Sequence, residues 1–187
     1  MTTSSALPQY DSTKARYSRK ARWLHWAMAL LIVLAYALIL SRTEFGKGSQ
    51  WRILVVQSHF WVGILVLALA FFRVAERRRH TPPSITPPLE GLLQKAATLS
   101  HVLLYAFLFA QPLLGLFTVL IEKGALPVPL TSWLIPSPFP LSEKFAESLE
   151  DLHKLLGSVF YYVIALHIIA ALWHHFVRKD NTLRRMV

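Results

Sequence analysis

Four long apolar segments alternate with polar or proline-rich connections along the 187-residue chain. They cover about residues 23–40, 53–72, 96–121 and 153–177. Each segment meets or approaches the length of about 20 residues that a helix needs to cross the hydrocarbon core of a bilayer. Because lipid offers the backbone no hydrogen-bond partner, such segments must be helical. The pattern therefore predicts an all-α fold, an integral membrane four-helix bundle with four transmembrane helices.

The length of the chain suits one domain, and we expect residues 1–187 to form a single transmembrane domain with a flexible stretch at residues 1–15. The first apolar segment follows a long charged region, and no small-residue cleavage site comes after Leu40. We therefore expect this segment to be retained as a helix instead of being removed as a signal peptide. A hydrophobic content of 54% agrees with a protein whose partner is the lipid bilayer.

The basic residues predict the orientation of the helices. Fourteen of the twenty lie before the first apolar segment, between the second and third, or after the fourth. The positive-inside rule places both termini and the middle connection in the cytoplasm, and the proline-rich connection over residues 122–152 outside, as a cap on the bundle. The net charge of +10 has the same origin, since basic residues beside membrane helices set topology and attract anionic lipid. We expect no binding to nucleic acid.

Histidine is the residue type that stands out within the apolar segments. Ionisable side chains are costly inside a membrane and mark functional sites. Five histidines lie within or at the ends of the segments, and a sixth lies near the last exit: His25, His59, His101, His153, His167 and His174. The chain has no cysteine, which excludes disulfides, iron–sulfur clusters, thiolate ligation of haem and covalent attachment of haem.

The direction of each predicted helix places these histidines at two depths. His153 and His167 are fourteen residues apart, which is almost four helical turns or about 21 Å, so their side chains share one face. His59 falls at the depth of His153 near the outer surface. His25, near the inner surface, is the candidate partner of His167. Depth alone leaves His174 as an alternative to His167.

Opposed imidazoles at two depths favour haem b over other ligands of histidine. Zinc takes three or four protein ligands, and no acid or thiol clusters with these histidines in the sequence. A proton pathway or a histidine-based metal transporter needs no opposed pairs. Two haem groups with bis-histidine iron fit best, because each iron takes two neutral imidazoles and the flat macrocycle packs between helices.

Small residues one turn after the candidate ligands support the same interpretation, since a porphyrin lying against a helix needs space there. Four positions after His25, His59, His153 and His167 stand Ala29, Gly63, Gly157 and Ala171. At that spacing Tyr105 follows His101 and Arg178 follows His174. The pattern favours His167 over His174 as the inner ligand, although small residues are also common at contacts between membrane helices.

Six stretches that span nearly the whole chain occur in a recognisable order. They are "YSRKARWLHW" (17–26), "QSHFWVG" (57–63), "RRRHTPPSITPP" (77–88), "SHVLLYAFLFAQPLLGL" (100–116), "LHKLLGSVFYYVIALH" (152–167) and "HHFVRKDNTLRRM" (174–186). Together they resemble the bacterial cytochrome b561 family and, more distantly, the cytochrome b subunits of formate dehydrogenases and nickel-iron hydrogenases. The resemblance implies a protein of the bacterial inner membrane in which His25 and His167 bind the inner haem iron, and His59 and His153 the outer one.

The resemblance also implies an activity. Family members that are superoxide oxidases take electrons from periplasmic superoxide, which becomes oxygen, and reduce ubiquinone. Lys154, beside His153, and Arg52 are candidates for drawing the superoxide anion towards the outer haem. The alternative function is a non-catalytic electron relay between the quinone pool and a periplasmic redox partner.

The surroundings of the inner haem include several candidate binding residues. His101 and His174 are spare imidazoles that exchange protons near neutral pH. With Trp173 they are candidates for a ubiquinone site; the alternatives are hydrogen bonds to a haem propionate or the backbone for the histidines and an interfacial belt position for the tryptophan. Candidate partners of the haem propionates are Arg22, Arg73 and Arg178. Pro112 with Gly115 predicts a kink in the third helix that makes room for a macrocycle or quinone.

Overall fold

The computed structural model describes residues 16–187, so the predicted flexible stretch at residues 1–15 lies outside the described residues. The four long helices are α1 (Arg19–Ser41), α2 (Gln50–Arg79), α3 (Gly91–Lys123) and α4 (Glu143–Trp173). A 3-10 turn, Arg42–Glu44, follows α1, and a π-helical segment, His174–Arg178, continues α4. Two short antiparallel strands, β1 (Ala125–Pro127) and β2 (Leu134–Pro136), form a hairpin between α3 and α4.

Each of the four helices is long and apolar enough to cross a membrane. The predicted membrane four-helix bundle is therefore confirmed for residues 16–187, and the short hairpin is an addition that the apolar pattern did not indicate. Large apolar side chains such as Val33, Phe72 and Leu166 are exposed on the outside of the bundle. This exposure is expected of a protein whose helices have lipid as their solvent.

The helices extend past the apolar segments at their polar ends. α2 continues to Arg79 and α4 starts at Glu143, beyond the apolar segments predicted to end near residue 72 and to begin near residue 153. Hydropathy locates only the part of a helix that lies in lipid, whereas these helices continue through charged residues. Two other ends are set by caps, because the hydroxyl groups of Ser18 and Ser49 accept hydrogen bonds from backbone N–H groups three residues further on.

Packing between neighbouring helices leaves α4 apart from α1 and α2. The backbones approach most closely between α1 and α2, between α2 and α3, and between α3 and α4. A buried cluster of Met28, Val66 and Ala70 joins α1 to α2, and the rings of Phe107 and Phe160 stack 4.6 Å apart between α3 and α4. Among residues 16–187, α4 makes no comparably close backbone packing with α1 or α2. Side chains therefore span the space between them.

The bundle has two structurally different ends. The termini end carries the start of α1, the end of α4 and the proline-rich connection over residues 80–90, and the hairpin end carries β1 and β2. At the hairpin end Leu126 is buried, and the indole N–H of Trp61 donates to the carbonyl oxygen of Pro127 at 2.9 Å. The connection between α3 and α4 thus lies over the bundle as a cap, as the sequence predicts.

The C-terminal tail, residues 179–187, closes the termini end. The side-chain oxygen of Asn181 accepts a hydrogen bond from the N–H of Thr86 at 2.9 Å, and Arg22 donates to the carbonyl oxygen of Val187 at 2.5 Å. The tail therefore joins the start of α1 to the proline-rich connection. The stretches "RRRHTPPSITPP" and "KDNTLRRM", which are far apart in the sequence, bind each other in the structure.

Single cysteine substitutions will report which end faces which side of the membrane, because the chain has no cysteine of its own. Thr81 in the proline-rich connection and Ser132 in the hairpin are both exposed. We expect a membrane-impermeant maleimide to label Ser132→Cys in intact spheroplasts and Thr81→Cys only after lysis, since the termini end carries the excess of basic residues. The reverse labelling would overturn the predicted orientation.

Candidate functional site

Two pairs of imidazoles face each other between the helices. The ring centres of His25 on α1 and His167 on α4 are 6.3 Å apart, with ring planes at 73°; we call them the termini-end pair. Those of His59 on α2 and His153 on α4 are 6.2 Å apart, at 79°; we call them the hairpin-end pair. The two levels are separated by fourteen residues of α4, about 21 Å. The structure therefore brings together the two pairs that the sequence predicts.

Backbone carbonyl groups orient the rings of the hairpin-end pair. Nδ1 of His59 donates to the carbonyl oxygen of Ala35 on α1 at 2.8 Å, and Nδ1 of His153 donates to that of Gln111 on α3 at 3.0 Å. A carbonyl oxygen only accepts hydrogen bonds, so the proton of each neutral ring is on Nδ1 and the lone pair is on Nε2. A hydrogen bond of this kind typically orients a metal-binding histidine.

The spacing within each pair fits two imidazoles on opposite sides of one metal atom. With metal–nitrogen bonds of about 2.1 Å, the ring centres of two such ligands lie about 6 Å apart. A zinc site is not favoured, because residues 16–187 contain no group of three His, Cys, Asp or Glu side chains placed to hold a metal ion. Each level provides two nitrogen ligands, which suits the two axial positions of haem iron.

A third imidazole lies beside the termini-end pair. The ring centre of His101 on α3 is 6.2 Å from that of His167, and Nδ1 of His101 donates to the carbonyl oxygen of Ala97 at 2.7 Å. The sequence predicts His101 as a spare imidazole at this depth but not its contact with His167. His101 is exposed whereas His25 is partly buried, so His25 is the partner of His167 that the bundle encloses better.

The glycines at the hairpin-end level have different surroundings. A Cβ atom on Gly115 would lie 3.1 Å from Cε1 of His153, so α3 approaches this ring closely because residue 115 has no side chain. No atom lies within 4 Å of the Cβ position of Gly63, in agreement with the predicted space for a macrocycle. At Gly157, Nε2 of Gln111 lies 3.0 Å from the Cβ position, so protein fills that gap.

Three residues near the hairpin-end pair had no role in the sequence predictions. Ala35 and Gln111 accept the hydrogen bonds from the two imidazoles, and the hydroxyl of Tyr36 donates to the carbonyl oxygen of Gly157 at 2.8 Å. The side chain of Gln111 also donates to the carbonyl oxygen of His153 at 3.1 Å. Only Gln111 offered a signal, because a polar amide inside an apolar segment needs a partner.

Of the three arginines proposed as propionate partners, two are engaged elsewhere. Arg22 and Arg178 donate to backbone carbonyl groups of the tail and of the proline-rich connection, respectively. Arg73 makes one long hydrogen bond of 3.4 Å to the backbone of α1, and it lies within electrostatic range of His25 and His167. Arg73 is therefore the arginine best placed to bind an acidic group at the termini-end level.

His174 lies outside both ring pairs and is bound to Asp180. Nδ1 of His174 donates to a carboxylate oxygen of Asp180 at 2.5 Å, and Nε of Arg178 lies 3.0 Å from the same oxygen. Burial alone would raise the pKa of the Asp180 carboxyl. Hydrogen bonds from the N–H of Thr182 and from His174 outweigh this effect, so the pKa lies below its ordinary value. Trp173 is partly exposed, with its ring 5.2 Å from that of His174. This arrangement favours His167 over His174 as a member of the termini-end pair.

The two basic residues predicted to attract an anion have different partners at the hairpin end. Lys154 forms ion pairs with Glu150 at 2.9 Å and Asp151 at 3.9 Å, so its charge is offset locally. Arg52 donates to two backbone carbonyl oxygens at 2.8 and 3.3 Å. Because these partners are neutral, they do not offset the positive charge of Arg52, which is therefore the stronger candidate for attracting an anion.

The sequence profile of the prokaryotic cytochrome b561 family matches residues 16–187. The chain belongs to this family. Cytochrome b561 homolog 1 of Escherichia coli (strain K12) is 37% identical over 177 residues, which cover 92% of this chain and 97% of that protein. The probable superoxide oxidase CybB of Yersinia pestis is 32% identical over 178 residues, which cover 92% and 96%. Cytochrome b561 homolog 2 of Escherichia coli (strain K12) is 28% identical over 179 residues, which cover 95% and 94%.

Membership of the cytochrome b561 family confirms the resemblance noted in the sequence. The chain is a haem-binding electron-transport protein of a bacterial membrane, with four membrane-spanning helices and b-type haem as its cofactor. The imidazole pairs suit this cofactor, because each pair offers two nitrogen ligands and no thiolate.

Replacing Gly115 by alanine tests how tightly α3 packs on His153. The added Cβ would lie 3.1 Å from the imidazole, and overpacking of this kind costs about 1–3 kcal/mol. We expect Gly115→Ala to shift or partly remove the absorption of one haem in the purified cytochrome. Gly46→Ala is the matched control, since no atom lies within 4 Å of that Cβ position. Identical spectra for the two variants would contradict the close packing.

Proposed function

We propose that this cytochrome b561 binds two haem b groups, one between His59 and His153 and one between His25 and His167, and transfers electrons across the membrane. The observation that carries the proposal is the pair of facing imidazoles at each of two levels on α4. We further propose that the protein lies in the inner membrane with its termini end in the cytoplasm.

The chain supplies the ligands, their orientation and a dry environment. When bound, haem supplies one-electron redox chemistry whose potential depends on the axial ligands and their hydrogen bonds. The carbonyl groups of Ala35 and Gln111 hold the hairpin-end imidazoles, and Arg73 supplies positive charge at the termini-end level. The stacked rings of Phe107 and Phe160 place apolar side chains between the levels, since Phe160 is seven residues from each histidine of α4.

The proposed electron donor is superoxide, at the hairpin end. The name of the Yersinia pestis relative supports this donor, and the uncompensated charge of Arg52 supports attraction of a small anion to that end. Arg52 is seven residues before His59 on α2, about 10 Å along the helix axis and on the same face. Each superoxide anion gives up one electron and leaves as oxygen.

The proposed electron acceptor is ubiquinone, at the termini end. One ubiquinone takes the electrons of two superoxide anions together with two protons and becomes ubiquinol. His174 follows His167 by seven residues, so it lies about 10 Å further along the same face. With Trp173 and the exposed His101 it provides the polar and aromatic groups that a quinone site needs near a haem.

Alanine substitutions at the histidines test the ligand pairs directly. We expect two b haems per chain in a pyridine haemochrome assay, and one after either His153→Ala or His167→Ala, because each removes one imidazole of a pair that would hold a haem. His174→Ala and His101→Ala are the controls and should retain both haems. If one of the controls loses the termini-end haem and His167→Ala keeps it, the ligand pair is assigned wrongly.

Purified protein with superoxide and a ubiquinone analogue tests the proposed reaction. We expect superoxide to reduce the haems and the analogue to re-oxidise them, with two superoxide anions consumed per quinol formed. Arg52→Gln should slow the superoxide step several-fold at low ionic strength and less at high ionic strength, because salt screens steering. Lys154→Gln should have the smaller effect, since its charge is already paired.

Haems that are never reduced by superoxide would contradict the proposed donor. A cytochrome that is instead reduced by a periplasmic redox protein and exchanges electrons with the quinone would be the electron relay.

A further inference from the structure

We propose that Asp180 is a positioning residue for ubiquinone reduction, which fixes the imidazole of His174 so that Nε2 delivers protons to the quinone. The inference rests on the proposed function and adds to it a residue outside the transmembrane helices.

The backbone after α4 returns Asp180 to His174. The π-helical segment ends at Arg178 and is followed by Lys179, which adopts the left-handed conformation with φ 57° and ψ 31°. The chain therefore turns back, and the N–H of Asp180 donates to the carbonyl oxygen of His174 at 3.1 Å. The turn places the carboxylate beside an imidazole six residues earlier. It depends on a left-handed conformation that is uncommon for a non-glycine residue.

The carboxylate of Asp180 is buried and held by several contacts, although it lies in the C-terminal tail. Its side chain is fully buried. Nδ1 of His174 at 2.5 Å and the N–H of Thr182 at 2.9 Å donate hydrogen bonds to it, and the guanidinium of Arg178 forms an ion pair with it at 3.0 Å. The tail that carries Asp180 is itself anchored, because the side chain of Asn181 binds the proline-rich connection. The geometry thus fixes both the carboxylate and the imidazole that it contacts.

The contact determines which nitrogen of His174 is available. An ionised carboxylate only accepts hydrogen bonds, so the proton stays on Nδ1 and the exchangeable position is Nε2. Nε2 makes no hydrogen bond within residues 16–187. The His174 side chain is 12% exposed, so a ligand or water can reach it at the end of the bundle.

The proposed step balances electrons and protons. Ubiquinone takes two electrons from the termini-end level and two protons to become ubiquinol. The imidazolium of His174 donates the proton on Nε2 to a quinone oxygen, while Asp180 stabilises the charged ring and keeps the other proton on Nδ1. Nε2 then takes a new proton from water at the termini end, and the cycle repeats for the second oxygen.

Haem re-oxidation by decyl-ubiquinone tests this role in the purified holoprotein. After reduction by dithionite, we expect re-oxidation to be about tenfold or more slower in Asp180→Asn and in His174→Gln than in wild type. The double variant should be no slower than the slower single variant, because the two residues act as one unit. Haem content and haem reduction by superoxide should be unchanged in all three.

Asn181→Ala is the matched control for anchoring of the tail, since it removes the two side-chain hydrogen bonds of Asn181 to the proline-rich connection and keeps the carboxylate of Asp180. We expect Asn181→Ala to slow haem re-oxidation only modestly. In a double variant with His174→Gln, the two effects should add. The proposal would be overturned if Asp180→Asn re-oxidised at the wild-type rate. It would also be overturned if the slowing by Asp180→Asn added to that by His174→Gln, as the slowing by Asn181→Ala is expected to do. Reduced wild-type haem that the quinone fails to re-oxidise would show that the acceptor itself is wrong, and the role of Asp180 with it.

Discussion

An imidazole inside a membrane needs a partner for each of its ring nitrogens, and the rest of this structure follows from that requirement. At the hairpin-end pair, Nδ1 of each ring donates to a backbone carbonyl of a helix other than its own, on Ala35 or Gln111. The remaining lone pairs are then free to bind a metal atom between the rings. Close approach of α3, which the absence of a side chain at Gly115 permits, is part of the same arrangement.

Helix α4 connects the two ends of the molecule. It carries one histidine of each pair, and His174 follows at the start of the π-helical segment, so the three lie one after another along a single face. Beyond His174 the chain reverses, and Asp180 in the tail binds back to that imidazole. The axis along which electrons are proposed to move and the tail that closes the termini end are therefore parts of one continuous stretch of sequence.

Periodicity along a helix predicted the ligand pairs because an α-helix fixes the position of every residue relative to its neighbours. The distance and common face of His153 and His167 depend on α4 alone, and the direction of α2 was enough to place His59 at the depth of His153. Depth did not decide between His167 and His174 as the partner of His25; the small residue four positions later and the family resemblance favoured His167. The contact of His101 with His167 depends on the rotation of α3 about its axis, which hydropathy does not define. The Asp180 contact depends on a left-handed residue at Lys179, and a lysine gives no signal for that conformation.

Two metal positions follow from the facing imidazole pairs, so the iron sites of the purified cytochrome decide whether the pairs are ligands. Anomalous scattering at the iron edge from crystals of the holoprotein measures them. We expect two iron peaks about 21 Å apart, one between His59 and His153 and one between His25 and His167. A single peak, or a peak between His101 and His167 in place of His25, would contradict this expectation.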